Sequence, residues 1–187
     1  DAVEVNIFPD PDPAGSPARH IGPGVPRSVL GDVLIVKFND LNAVEDLLKA
    51  NVDKVAAILT EPLMGAAGVV CPGPGYLEGL RTLADKYNLV LIFDEVKTGF
   101  RIAKGGAQEY FGLTPDLTCL GKIIGGGLPV GAYGGRAEIM DQIAPDGPVY
   151  QAGTLSGNPL AIAARGAALD LWTEPGGGEQ RNAPGTC

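Results

Sequence analysis

The chain has 187 residues, of which 45% are hydrophobic and 19% charged, so it can build a folded core and is not a disordered chain. Its formal net charge of -8 argues against a nucleic-acid partner, and no apolar run approaches the roughly 20 residues that would span a membrane. Three cysteines without paired spacing and a single histidine, His20, predict no disulfide framework, no metal site and a reducing, cytoplasmic compartment.

The chain begins with an irregular segment over residues 1–28 that is rich in Pro, Gly and Asp, with one short strand expected around Val3–Phe8. A regular pattern then starts, in which Val33–Phe38 is a predicted strand. A helix capped by Asn39 or Asp40 should follow and end at Ala50. Further alternating elements are predicted as a buried strand at Val55–Thr60, a helix at Gly75–Tyr87, strands at Leu89–Phe93, Leu117–Leu120 and Gly131–Gly134, and helices at Arg136–Ile143 and Pro159–Trp172.

This alternation of helices with nearly continuous apolar strands predicts an α/β fold, in which a mainly parallel sheet is buried between helical layers. We expect the sheet to occupy residues 29–172 as part of one larger domain. Residues 173–187 are polar, contain a GGG run and show no periodicity, so a disordered tail is predicted there.

Polar residues stand where three predicted strands end, namely Glu61, Asp94 and Lys122. In α/β sheets the carboxyl ends of the strands line the ligand crevice. Thr154 lies just before the helix start at Asn158, where a phosphate can be bound. By residue type alone, however, a strand-end aspartate is more often a cap, and a lysine is more often solvated.

Several common motifs fail in this sequence. The Gly121-Lys122 pair lacks the glycine and hydroxyl residue of a P-loop, and the run at Gly125–Gly127 lacks the third glycine of a dinucleotide fingerprint. The remaining set of a lysine, a carboxylate and a hydroxyl is what pyridoxal phosphate chemistry requires. The amine forms a Schiff base, the carboxylate keeps the pyridine nitrogen protonated, and the hydroxyl helps to hold the phosphate.

The sequence around these residues resembles that of the class III aminotransferases. The segments that carry the resemblance are LIFDEVKTGFR at residues 91–101, LGKIIGGGLPVGAYGGR at 120–136, YQAGTLSGNPLA at 150–161 and the Glu61-Pro62 pair. Within the class, GGAQEYFG at 105–112 and TPDLT at 114–118 are most similar to the glutamate-1-semialdehyde 2,1-aminomutases. The resemblance implies part of the large domain of a fold-type I transferase, a three-layer sandwich.

The resemblance also implies roles for individual residues. Lys122 would be the Schiff-base lysine and the base that moves the proton, and Asp94 would pair with the pyridinium nitrogen. Val96 would pack on the cofactor ring, while Glu61 would lie near the cofactor. The family pattern further implies a homodimer that cycles through the pyridoxamine form, with Gly153 and Thr154 binding the phosphate of the neighbouring subunit's cofactor.

Two departures and two alternatives accompany this interpretation. Lys97 replaces the methionine common in the subgroup and is interpreted as a solvated loop lysine, with a substrate contact as the alternative. Cys71 is interpreted as a small packed residue. The alternatives to an aminomutase acting on a small amino-acid or amino-aldehyde substrate are an intermolecular ω- or β-amino acid aminotransferase, and a fragment with little activity of its own.

Overall fold

The computed structural model describes Ser28, residues 31–65 and residues 67–174. The strand expected around Val3–Phe8, His20 and nearly all of the expected tail therefore lie outside the described residues. Within residues 31–65 and 67–174, no helix is both long enough and apolar enough to cross a membrane.

The described elements are, in chain order, α1 (Leu41–Ala50), β1 (Ala57–Thr60), α2 (Tyr76–Tyr87), β2 (Val90–Asp94), α3 (Gly106–Phe111), β3 (Leu117–Leu120), a 3₁₀ helix (Lys122–Gly125), β4 (Ala132–Gly135), α4 (Ala137–Met140) and α5 (Pro159–Thr173). The strands form one sheet in the order β1-β2-β3-β4. The first three are parallel and β4 is antiparallel to β3. The predicted α/β class with a mainly parallel sheet is confirmed.

The core lies on one face of this sheet, and β2 shows why. Side chains alternate between the two faces of a strand, and Leu91 and Phe93 are fully buried on the face that α1 and α2 cover. Each such side chain stabilises the fold by about 1.5–3 kcal/mol. Ile92 and Asp94 point to the opposite face and are half-buried. This alternation decides which side each residue after the strand can reach.

Side-chain caps begin two of the predicted helices. Asp40 Oδ1 accepts a hydrogen bond from Ala43 N at 3.0 Å, so Asp40 caps α1. Asn39 instead takes a left-handed conformation, with φ 67°, and its side chain binds the backbone of Cys71 and Gly73. At α5 the predicted cap is confirmed, because Asn158 Oδ1 accepts from two backbone N–H groups of the first turn.

Three expectations for secondary structure were wrong in part. Residues 33–38 are not paired into the sheet; Val36 and Phe38 pack on the core instead, with the Phe38 ring edge-on to Tyr76 at 4.8 Å between centroids, whereas Leu34 is 49% exposed. Among the strands that the structure describes, β1 lies at the edge of the sheet rather than in its interior, and Leu59 is 46% exposed. The helix predicted over Arg136–Ile143 is only the single turn α4, after which the backbone pairs Ile143 with Val149.

Asp116 links the amino-terminal ends of β2 and β3 by hydrogen bonds, a role that the sequence patterns did not indicate. Its carboxylate is buried and accepts hydrogen bonds from Leu91 N at 2.7 Å, Arg81 Nη1 at 2.8 Å and Arg136 Nη1 at 3.0 Å. Burial opposes ionisation of this carboxyl, but the hydrogen bonds from Leu91, Arg81 and Arg136 prevail, and the pKa of Asp116 lies below its ordinary value. This network is at the opposite edge of the sheet from the strand-end residues Glu61, Asp94 and Lys122.

Candidate active site

The structure brings Glu61, Asp94 and Lys122 to the same edge of the sheet. Glu61 directly follows β1, Asp94 is the last residue of β2, and Lys122 is two residues beyond the end of β3. These strands are parallel, and the register aligns Thr60 with Phe93 and Asp94 with Cys119. Their carboxyl ends therefore meet at one edge, which is where α/β sheets bind ligands.

Asp94 faces away from the core and is fixed by a short turn. Its Oδ1 accepts a hydrogen bond from Val96 N at 3.0 Å, which leaves Oδ2 able to accept from a further donor. Cys119, its register partner, points to the same face of the sheet. The pKa of the Cys119 thiol is raised by burial and, to a smaller extent, by the negative charge of Asp94. Asp94 thus places a carboxylate charge on the open face at the end of the central strand.

Val96 connects the Asp94 turn to the segment that carries Lys122. A Cβ on Gly121 would lie 3.2 Å from Val96 Cγ1, so the two residues are in close contact. Lys122 follows with φ 48°, a left-handed conformation that costs a residue with a side chain about 1–2 kcal/mol. Its side chain is exposed. Strain of this kind persists where the surrounding structure fixes the backbone, and it is concentrated at functional sites.

Helix α5 supports the 3₁₀ helix that Lys122 begins. Gly126 ends that helix in a left-handed conformation, and a Cβ there would lie 2.7 Å from Ala164 O and 3.4 Å from Ala168 Cβ of α5. Only a glycine allows α5 to approach so closely. The lysine is therefore carried on a short turn that is held between β3 and α5.

The side chains of Glu61 and Lys97 both lie close to Gly65. Glu61 Oε2 accepts a hydrogen bond from Gly65 N at 3.0 Å and so closes the turn after β1. Lys97 is half-buried rather than fully solvated as expected, because its stem lies on Gly65, where a Cβ would be 2.5 Å from Lys97 Cδ. Cys71 is exposed, so the expectation of a packed residue there was wrong; its backbone oxygen accepts a hydrogen bond from Asn39 Nδ2 at 3.1 Å.

Gly153 and Thr154 lie on an exposed turn before α5. The turn is closed by a hydrogen bond from Ser156 N to Gly153 O at 2.9 Å. In the part of the chain that the structure describes, no hydrogen bond or ion pair joins Thr154 to Asp94 or Lys122. Asn158 already caps the first N–H groups of α5, so an anion at this turn would depend on the Thr154 hydroxyl rather than on the helix end.

Glu95 is the residue of this region whose importance the sequence analysis missed. It is only 1% exposed and points to the core face, opposite to Asp94. Its carboxylate accepts from the Thr98 hydroxyl, from the N–H groups of Ala107 and Gln108, and from the Gln108 side-chain amide. The separation of twelve and thirteen residues from these last partners left no local sequence signal.

A cavity of about 310 Å³ lies beside this buried carboxylate. Its lining includes Glu95, Gln108, Thr118 and Leu120, but neither Asp94 nor Lys122. Thr118 is the register partner of Phe93 and faces the core side of the sheet. The cavity is thus behind the strand-end residues and is not the crevice that they line. Among the described residues, no group of three or more His, Cys, Asp or Glu side chains is placed to hold a metal ion.

Comparison with known proteins gives a consistent result. The family model described as Aminotransferase class-III matches residues 14–182. Among curated proteins, the glutamate-1-semialdehyde 2,1-aminomutase of Syntrophobacter fumaroxidans is 62% identical over 82% of this chain, and that of Pelotomaculum thermopropionicum is 57% identical over 87%. The chain spans only 36% and 38% of the length of these two relatives.

Solved structures show the same likeness. An omega-transaminase from Sphaerobacter thermophilus is 40% identical, with a TM-score of 0.78, over 83% of this chain and 36% of its own. A glutamate-1-semialdehyde-aminomutase from Pseudomonas aeruginosa PAO1 in complex with PMP is 35% identical, with a TM-score of 0.63, over 74% of this chain and 32% of its own. The fold expected from the sequence is therefore confirmed.

Proposed function

The chain belongs to the class-III aminotransferase family, and on that premise we propose that it contributes Lys122 as the cofactor-bearing lysine of a pyridoxal 5'-phosphate enzyme that transfers amino groups. One observation carries the proposal. Lys122 places an exposed amine at the sheet edge where Asp94 ends the neighbouring strand, and Val96 packs on Gly121 between them. An accessible amine beside a fixed carboxylate is the arrangement that this chemistry requires.

The residues present fit the cofactor by their donor and acceptor properties. Asp94 Oδ1 is engaged by Val96 N, so Oδ2 is suited to accept from the protonated pyridine nitrogen. Val96 presents an apolar surface between this carboxylate and the lysine. When bound, the cofactor would supply an electron sink for the carbon that exchanges its amino group. Asp94 would hold the nitrogen proton in place, and the Lys122 amine would bind the cofactor and move the substrate proton.

We assign the other expected residues supporting roles. Glu61 would organise the loop after β1 at the border of the site, because it already holds Gly65 N. Gly153 and Thr154 would bind a phosphate through the turn and the hydroxyl. Both residues are exposed, and no described contact joins them to Asp94 or Lys122. These observations favour binding of a phosphate that belongs to the cofactor of a second subunit, as the family pattern implies. We therefore propose a homodimer, and a cytoplasmic enzyme in keeping with the free thiols of Cys71 and Cys119.

For the reaction, we favour a glutamate-1-semialdehyde 2,1-aminomutase that acts on a small amino-aldehyde and passes through the pyridoxamine form of the cofactor. Identities of 57–62% to curated aminomutases support this choice. The chain spans 38% and 36% of the length of these two relatives, and the alternative is a fragment with little activity of its own.

A second candidate is an intermolecular ω-transaminase, favoured by the 40% identity and the TM-score of 0.78 to the Sphaerobacter thermophilus enzyme. The two reactions differ in their need for a separate amino acceptor. Turnover of glutamate-1-semialdehyde without any 2-oxo acid would support the aminomutase, whereas turnover of an amine only with pyruvate would support the transaminase.

The test of the common proposal is cofactor binding. The full-length protein should take up pyridoxal 5'-phosphate and develop a visible absorption band, which Lys122→Ala should abolish. Lys104→Ala is a matched control, because Lys104 is also exposed but lines the cavity behind the site. If Lys122→Ala keeps the band and Lys104→Ala loses it, the assignment of Lys122 is wrong. If the isolated 187-residue chain binds the cofactor stoichiometrically and turns over, the fragment alternative is wrong.

A further inference from the structure

Adjacent carboxylates at the end of β2 point in opposite directions. Asp94 faces the open side of the sheet, whereas Glu95 is 1% exposed and faces the core. The alternation of a strand produces this division. Glu95 N also donates to Cys119 O of β3 at 2.9 Å, so the backbone at this point remains tied to the neighbouring strand. A movement of the Glu95 side chain would therefore be passed to Asp94 through a single peptide unit.

Every described partner of the Glu95 carboxylate is a donor. Oε2 accepts from Thr98 Oγ1 at 2.9 Å and from Ala107 N at 2.5 Å. Oε1 accepts from Gln108 N at 3.3 Å and Gln108 Nε2 at 3.0 Å. A carboxylate suits this set, because both oxygens accept and neither donates. A glutamine in its place would have to turn an NH₂ group toward Ala107 N–H or toward Gln108 N–H.

Gln108 links the Glu95 carboxylate to β3, the strand that precedes Lys122. Its Nε2 donates both to Glu95 Oε1 and to Thr118 Oγ1, the latter at 2.9 Å. Thr118 lies in β3, four residues before Lys122. This half-buried amide therefore joins the segment after Asp94 to the strand before Lys122, on the side of the sheet opposite to the proposed site.

Glycines allow this link to be short. Gly106 begins α3 with φ 71°, and a Cβ there would overlap the Glu95 carboxylate. At Gly99 a Cβ would lie 2.6 Å from Leu120 Cδ2 and 2.8 Å from Glu95 O. The turn that follows Asp94 is thus packed directly on the end of β3, and the relative placement of the two strand ends is determined by these contacts.

We propose that Glu95, acting through Gln108 and Thr118, is a positioning residue that sets the placement of Asp94 relative to Lys122. This inference rests on the proposed function, in which Asp94 holds the cofactor nitrogen and Lys122 carries the cofactor. Glu95 itself is buried on the core face, opposite to the face on which Asp94 would bind the cofactor. Its effect is on geometry, and a misplacement of about 1 Å in such a site can lower the rate about 100-fold.

The test compares Glu95→Gln and Thr118→Val with Asp116→Asn in the full-length protein. Asp116→Asn weakens the same sheet at the amino-terminal ends of its strands, away from the proposed site. It therefore reports the effect of lost stability alone. The readouts are the pH at which the visible band of the bound cofactor titrates, kcat and KM, and the unfolding temperature. Thr118→Val removes a single acceptor and leaves the Glu95 contacts with Ala107 and Gln108, so it serves if Glu95→Gln fails to fold.

The proposal predicts that Glu95→Gln lowers kcat by about tenfold to 100-fold with a smaller change in KM, and moves the titration of the band. Thr118→Val should change kcat and the titration pH of the band in the same direction, but by a smaller amount. Asp116→Asn should lower the unfolding temperature without moving the band. If Glu95→Gln and Thr118→Val lower only the unfolding temperature, the positioning role is overturned while the proposed function stands. A wild-type protein without any cofactor band overturns both.

Discussion

Val96 packs against Gly121, and a Cβ on Gly121 would lie 3.2 Å from Val96 Cγ1. The contact joins the turn after Asp94 to the residue immediately before Lys122. The segment that follows Asp94 and the segment that carries Lys122 are thereby held together by an apolar contact that neither of these two side chains makes.

Gly121→Ala should disturb the proposed site more than the fold. Gly121 has extended backbone angles that alanine also adopts, so the new methyl group acts only by pressing on Val96. We expect a destabilisation of about 1 kcal/mol and about tenfold weaker cofactor binding. Equilibrium titration with pyridoxal 5'-phosphate measures the latter. Gly131→Ala is the control, because nothing lies within 4 Å of a Cβ there. Equal affinities in the two variants would contradict the assigned role of this contact.

Gly106→Ala should be much more harmful than Gly112→Ala. Both glycines have a left-handed conformation, with φ 71° and φ 65°, which costs alanine about 1 kcal/mol. Only at Gly106 would the Cβ also overlap the Glu95 carboxylate, whereas the space at Gly112 is open. We expect a total loss of about 3 kcal/mol or more for Gly106→Ala. Chemical denaturation separates the two, and similar losses would show that Glu95 is not held as described.

Asp116→Asn should destabilise the protein in a pH-dependent way. The folded-state pKa of Asp116 is lowered, because hydrogen bonds from Leu91, Arg81 and Arg136 outweigh its burial. Its ionised form therefore stabilises the fold above the unfolded-state pKa of about 3.9, and this contribution is lost as the pH falls through the folded-state value. We expect a gap of about 2 kcal/mol between wild type and variant at neutral pH. Denaturation curves should show the gap narrowing below about pH 4, and a constant gap would refute the ionic role.

Thr154→Val should weaken recognition of the cofactor's phosphate specifically. Asn158 occupies the first N–H groups of α5, so the proposed phosphate contact depends on the Thr154 hydroxyl. We expect about tenfold weaker binding of pyridoxal 5'-phosphate and almost no change for unphosphorylated pyridoxal. Thr114→Val, another exposed threonine, is the matched control. A parallel loss for both ligands would place the effect elsewhere than at the phosphate.

The sequence allowed the prediction of those strand ends and helix starts whose signal lies in the local sequence. Strand-sized apolar runs that end in Asp94 and near Lys122 located the edge of the sheet, and Asn158 before Pro159 located the start of α5. The predicted strand at Val33–Phe38 was wrong because pairing depends on a neighbour that a hydrophobic pattern does not reveal. Val36 and Phe38 satisfy the same pattern by packing on the core.

Long-range partners account for what the sequence analysis missed. Glu95 and Asp116 are buried carboxylates, and each is stabilised by donors that stand far away along the chain. Arg81 precedes Asp116 by 35 residues, and Gln108 follows Glu95 by 13. Nothing in the local sequence distinguishes them from solvated acids, because their burial follows from the register of β2 and β3 and from the docking of α3.

Covalent trapping shows directly whether Lys122 carries the cofactor. The full-length protein is incubated with pyridoxal 5'-phosphate, reduced with borohydride, digested, and its modified peptide is sequenced by mass spectrometry. We predict one stoichiometric adduct, located on Lys122. A stoichiometric adduct on Lys97, the lysine whose side chain lies on Gly65, with Lys122 unmodified, would contradict this prediction.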